Sequence, residues 1–140
     1  EAASGAGASG PLVRTYLARN PGSAVAARLV GNAAAAAGRW DEARGLLAGL
    51  FARGGGRDAR LLADLAMAEL NSGDSTSALA SASRAHALQR GSGATALALG
   101  LVLAERGERP ALAKRLIDKT EALDGANPLI SAARRQLAAR

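Results

Sequence analysis

The side chains in this chain that could grip a ligand are few. Arg28 and Asn32 stand four residues apart in the run "SAVAARLVGNAAAAA". On a helix they share a face, one turn apart, and can reach the same group. Arginine offers a bidentate fork to a carboxylate, and an asparagine amide can hold an extended backbone through its donor and acceptor sides. Asp64 and Asn71, one repeat unit later, are the other polar candidates. No catalytic set accompanies them. His86 is the only histidine, cysteine is absent, and the serines gather around turns and a helix start, so no nucleophile and base can be paired. A single histidine between Ala85 and Ala87 reads as a surface or packing residue. Asp41 and Glu42 read as first-turn acids favoured by the helix dipole, and Glu105 and Glu108 as solvated charges beside Gly107. Metal sites need clustered His, Cys or carboxylate ligands, and phosphate loops need a preceding strand and a following Lys-Ser/Thr. Neither pattern occurs, and no cofactor is expected.

The elements that would position Arg28 and Asn32 follow from composition. Of 140 residues, 49% are apolar but only 2% aromatic. The core must therefore be built of Ala, Leu and Val, which favours helices over strands. No stretch alternates apolar and polar residues at period 2, so the class is all-α. No apolar run approaches the ~18 residues of a membrane span. The net charge of +6 first suggests nucleic acid. Against that, the arginines are scattered, lysine occurs only at positions 114 and 119, and Tyr16, Trp40 and Phe51 are too few to stack bases. No nucleic-acid partner is expected. Abundant Ala and Arg with little Lys is the usage expected of a GC-rich bacterial genome. The compartment is left open by the lack of cysteine, and the start at Glu1 instead of Met reads as an excised or processed end.

Residues 1–10, "EAASGAGASG", read as a flexible lead-in. From Pro11, eight helical runs alternate with breaks at glycines, where a left-handed helix stop needs one. The runs ending at Gly38, Gly73 and Gly107 repeat at spacings of 35 and 34 residues, with two helices per unit, as in a helical repeat array. The junction Gly38-Arg-Trp40-Asp-Glu-Ala43 resembles that of the tetratricopeptide repeat family, in which a glycine ends helix A, an aromatic opens helix B, and an alanine follows three residues later. Related helical repeats of similar period are the alternative. The resemblance covers roughly residues 11–140 and divides them into helix B of an incomplete repeat (11–22), repeats over 23–57, 58–92 and 93–126, and a capping helix over 127–140. Gly31, Ala66 and Gly100 are then the small residues of the A helices, which permit close crossing. Ala43 and Ala78 are those of the B helices, where the third repeat has Leu112 beside Ala113, with Pro110 indicating a one-residue shift. Ser75 and Arg109 stand where an aromatic is usual. Trp40 is expected to be largely buried.

The resemblance implies a right-handed superhelical array of antiparallel helix pairs whose A helices line a concave groove. In the family, the positions of Arg28 and Asn32 often hold a peptide carboxylate or backbone. The rest of that clamp would fall on Asp64, Ala94 and Ala98, so most of it is missing. The expected function is a non-enzymatic protein-protein interaction module that takes a peptide or protein, such as an acidic or C-terminal segment, with Arg28, Asn32, Asp64 and Asn71 as candidate groove contacts. A structural spacer or dimerisation segment is the alternative. Leu12, Val13, Tyr16 and Leu17 lack a partner helix and are expected to be exposed or covered by a second copy or an upstream repeat. At the other end, Leu129, Ile130, Ala133 and Leu137 are expected to face inward and Arg134, Arg135 and Arg140 to face water.

Overall fold

Four helix starts in this protein are set by short polar side chains and several of the stops by glycines. In the computed structural model, residues 14, 15, 18–20, 24–54, 57–125 and 127–139 are described. Among them are seven helices and no strand: α1 (Ala24–Ala36), α2 (Trp40–Ala52), α3 (Ala59–Asn71), α4 (Ser75–Leu88), α5 (Gly93–Arg106), α6 (Pro110–Asp124) and α7 (Pro128–Ala138). The lead-in over 1–10, the apolar residues Leu12, Val13, Tyr16 and Leu17, and Arg140 lie outside the described residues. Asp58, Asp74, Ser92 and Asn127 each accept a hydrogen bond from a first-turn amide, at 3.0, 3.0, 3.4 and 2.8 Å, satisfying donors that a helix start leaves without partners.

Gly38, Gly73 and Gly107 take φ of +80°, +90° and +68°, the left-handed region that favours glycine. The third turn carries one extra residue. Ala43 and Ala78 follow their glycines by five positions and Ala113 by six, and all three are completely buried. Arg109 absorbs the insertion by adopting φ +45°, and Pro110 then takes the first helical position held earlier by Trp40 and Ser75. The break after α4 departs from the glycine rule, since Gly91 is not left-handed. The Thr95 hydroxyl stands in, 2.7 Å from the Gln89 carbonyl oxygen and 3.1 Å from that of Ser92.

The helices pack as successive pairs, α1 on α2, α3 on α4 and α5 on α6, with the second helix of each pair against the first of the next. Small residues set the spacing. A Cβ on Gly31 would lie 3.3 Å from Leu47, and one on Gly100 would lie 3.1 Å from Ile117. Ala66, at the matching position of α3, is fully buried. The central core joins Leu62, Ala66, Ala78, Ala82, Val102 and Leu103 across α3, α4 and α5. Ile117, Ile130 and Ala133 seat α7 on α6. Leu129 does not face this core, being 44% exposed, because it falls one position off the buried stripe.

Trp40 is half-buried rather than largely buried. Its position at the first residue of α2 puts one side against the buried cluster that α1, α2 and α3 share and leaves the other in solvent. Trp40→Ala is therefore expected to cost about 2–3 kcal/mol, below the 3–5 typical of a fully enclosed aromatic. Urea denaturation measures this, and a loss under about 0.5 kcal/mol, the range of a surface substitution, would contradict the packing.

Among the described residues, Glu69 is the one charged residue that is buried, 8% exposed on α3. It accepts a 2.7 Å hydrogen bond from the Ser81 hydroxyl. Burial pushes its carboxyl above the usual range, only partly offset by Ser81 and Arg44, and Asp74 adds to the rise. A raised pKa means that stability is full below the unfolded value and declines as pH rises through the folded one. Glu69→Gln is expected to raise the melting temperature at pH 8 and leave it unchanged at pH 4. Equal melting shifts at both pH values would refute the burial argument.

Candidate functional site

The four candidate contacts fall on the first helices of the first two pairs, Arg28 and Asn32 on α1 and Asp64 and Asn71 on α3. Arg28, near the start of α1, does not stand alone as a cation. Its Nη1 donates to Asp58 Oδ2 at 2.7 Å, and its Nη2 lies 3.9 Å from Asp64 Oδ2. Arg60 holds the other oxygen of Asp64 at 3.1 Å. Sequence proximity offers Arg28 no counter-charge, but the fold brings two from the next helix pair, and the local charge of Arg28, Arg60, Asp58 and Asp64 sums to zero. Burial opposes ionisation of Asp58, yet the Leu61 amide and the Arg28 guanidinium outweigh it and hold the carboxyl below its ordinary range.

Asn32, one turn on from Arg28, is exposed, with the half-exposed Leu29 beside it on the helix surface. The structure thus places Arg28 and Asp64 together and leaves Asn32 open. Ala98, at a clamp position, is buried and supplies no polar group.

Asn71 lies two turns beyond Asp64, on the same face of α3, with Met67 between them. Its amide donates to the Met67 carbonyl at 2.8 Å, which steadies the side chain at the mouth of a cavity. That cavity, of about 380 Å³, lies between α3, α5 and α7 and is lined by Met67, Leu70, Leu101, Leu129 and Gln136, with Asn71 and Glu105 exposed at its edge. Its volume lies within the range of small-ligand and side-chain pockets. Leu129 was expected inside the core and instead forms part of this wall. Sequence reading identified Asn71 but not the cavity, whose walls come from three helices spread over some seventy residues.

Of the acids beside Gly107, Glu105 is exposed and Glu108 is a partly exposed member of an ion pair. Arg106 binds Glu108 at 2.9 Å, and Glu42 pairs with Arg14 and, at 3.0 Å, with Arg39. Arg14, then burial in opposition, then Arg39 set the Glu42 carboxyl below its usual range. On α7, Arg134 reaches Asp118 at 2.8 Å and Glu121 at 2.6 Å, while Arg135 is exposed.

Paired helices, left-handed glycine stops and small residues at each crossing define an all-α helical array of the tetratricopeptide repeat type. Solved structures have the same architecture. The chain is similar to the Arabidopsis OM64 TPR domain, with a TM-score of 0.68 and 19% identity over 81% of this chain and 93% of that one. It is also similar to the first TPR of Spaghetti (RPAP3) bound to the HSP90 peptide SRMEEVD, with a TM-score of 0.67 and 18% identity over 83% and 90% of the two chains. For MamA the TM-score is 0.69, with 19% identity over 91% of this chain and 79% of that one. These likenesses establish the fold. No family model matches the sequence, and no curated protein matches it either.

Proposed function

We propose that this protein is a non-enzymatic interaction module that takes a peptide or protein segment along the face of α1, α3, α5 and α7. The repeats are taken as 23–57, 58–92 and 93–126, after an incomplete one over 11–22 and before a cap over 127–140. The observation that carries the reading is the 380 Å³ cavity between α3, α5 and α7, where the apolar side chains of Met67, Leu70, Leu101 and Leu129 stand among the polar ones of Asn71, Glu105 and Gln136. An apolar ligand side chain fills such a pocket, while an asparagine amide aligns the backbone next to it. Support also comes from the similar RPAP3 domain, whose structure holds a peptide. Among the described residues, the imidazole of His86 has no hydrogen-bond partner at Nε2, so no nucleophile is held against it there, which favours binding over catalysis.

Arg28 and Asn32 would extend the site toward α1. An acidic or C-terminal ligand there must draw Arg28 away from Asp58 and Asp64, so its contribution is secondary to the cavity. The test is a titration of two peptide libraries, one with free C-termini and one end-blocked, against the parent, Leu129→Glu and Arg28→Ala/Asn32→Ala. Bound peptides are expected to share an apolar residue and to be lost with Leu129→Glu. Loss only with the Arg28/Asn32 variant would move the site to the first repeat, and no binding to any protein would favour a structural spacer.

A further inference from the structure

A second surface is built by the C-terminal end of α4 and one face of α6, and none of its residues lines the cavity. His86 and Arg90 come from the end of α4 and the turn after it, and Lys119 from α6. The Lys119 ammonium donates to the Arg90 backbone carbonyl, which draws the α6 side chain across the end of α4. Arg115 stands one turn before Lys119 on the same exposed face of α6. Many of the other cations hold carboxylates, among them Arg14, Arg28, Arg39, Arg44, Arg60, Arg106, Lys114 and Arg134. Arg90, Arg115 and Lys119 have no carboxylate partner among the described residues.

His86 reports the resulting field. Its Nε2 is shielded from solvent and has no hydrogen-bond partner. Burial, then Lys119, then Arg90 hold its pKa below the ordinary value, as expected where positive potential disfavours another proton. Two of the protein's few large exposed apolar side chains flank the patch. Leu88 sits in the last turn of α4 at 44% exposure, and Leu123, one turn beyond Lys119, at 51%.

We propose that the Arg90–Arg115–Lys119 surface, flanked by Leu88 and Leu123, docks an acidic segment of a partner protein that also carries apolar side chains. Charge complementarity is the first argument: unmatched cations on neighbouring helices fit carboxylates spaced along one chain, and Arg90 and Arg115 each offer a bidentate fork. Scale separates this partner from a membrane. Recognition of anionic lipid takes clusters of about 4–8 Lys/Arg, and three are gathered here. The flanking leucines supply apolar contact that a purely electrostatic partner would not use.

The test is fluorescence anisotropy with a labelled, end-blocked peptide of interspersed Glu and Leu, and with its counterpart in which every Glu is Gln. The parent is expected to bind the Glu peptide, with affinity falling as salt rises, and to bind the Gln peptide at least about tenfold more weakly. Arg90→Gln/Lys119→Gln should weaken Glu-peptide binding by about tenfold and leave Leu129→Glu-sensitive ligands of the cavity unaffected. Arg28→Ala should bind the Glu peptide like the parent. The His86 ring resonances should shift during the titration. Equal binding of the two peptides, full binding by the Arg90/Lys119 variant, or absence of binding would overturn the proposal. So would recruitment to anionic phosphatidylserine vesicles without peptide binding. Leu129→Glu should bind the Glu peptide like the parent, and its loss there would assign the peptide to the cavity and overturn the proposal, so the two surfaces fail or stand separately.

Discussion

Replacing Ala78 by leucine is expected to cost about 3 kcal/mol, the upper end of what overpacking usually exacts. Ala78 lies in the first turn of α4, completely buried against α3. The buried cluster it belongs to is rich in alanine, with Ala63 and Ala66 on α3 and Ala82 and Ala85 along its own helix. A leucine in a core of larger residues can find room when a neighbour changes rotamer. Alanines have no rotamer to change, so the added carbons must push the helices apart. The displacement would also disturb α5, since the same cluster runs through Val102 and Leu103. Ala80→Leu, at an exposed position of the same helix, is the control and should fall within about 0.5 kcal/mol of the parent. Guanidinium unfolding of the two variants decides it. If they unfold alike, the close crossing of α3 and α4 does not exist in solution.

That crossing was legible in the sequence because local chemistry dictates it. Gly38, Gly73 and Gly107 announce left-handed stops, and the alanines five or six residues later mark where helices meet. Even the insertion in the third turn shows, as Pro110 and the Leu112-Ala113 pair out of step. The end of α4 was misread for a related reason. Gly91 looks like the other stops, but the work of closing the helix end falls to Thr95, a side chain from the next helix, and no local rule reveals that. Trp40 was overestimated because an aromatic that opens a helix can bury only the side turned to its partner.

The candidate site was legible in residue type and not in environment. A helical-face argument sees neighbours three and four positions away, so Arg28 was paired with Asn32 and read as an open cation. Its actual partners, Asp58 and Asp64, lie 30 and 36 residues on. They meet it only because helix pairs stack with a period near 34. The cavity was hidden by the same separation, since Met67, Leu101 and Leu129 each look like ordinary core residues of their own helices.

Mild acid is expected to loosen α1 and α2 from the rest of the protein before α4, α5 and α6 open. Two ion pairs span the first two helix pairs at the same sequence separation: Arg28 with Asp58, and Arg44 with Asp74. In each, an arginine on one helix binds the N-cap aspartate of the equivalent helix in the next pair. The ladder ends there. The caps of α5 and α6 are Ser92 and Arg109, neither of them acidic. Apolar clusters join both pairs of neighbours, but between the second and third the polar link is Arg106 with the Ser75 hydroxyl, which involves no cap carboxylate. Asp74 is held below the usual carboxylate range by the Ser77 amide and hydroxyl and by Arg44, and Asp58 by the Leu61 amide and Arg28 against the opposing effect of burial. Lowered values mean that their stabilisation is complete above the unfolded carboxylate pKa and is lost as pH falls through the folded one. Apolar contacts have no such dependence. Hydrogen exchange at pH 7 and at pH 3, corrected for intrinsic rates, should show protection in α1 and α2 falling by about tenfold while α5 holds. High salt should reproduce part of the effect at pH 7, because these side chains are partly exposed and therefore screened. Arg28→Gln/Arg44→Gln should already show the acid pattern at neutral pH. Uniform loss of protection across all helices would mean that the array unfolds as one unit and that the ladder adds nothing local.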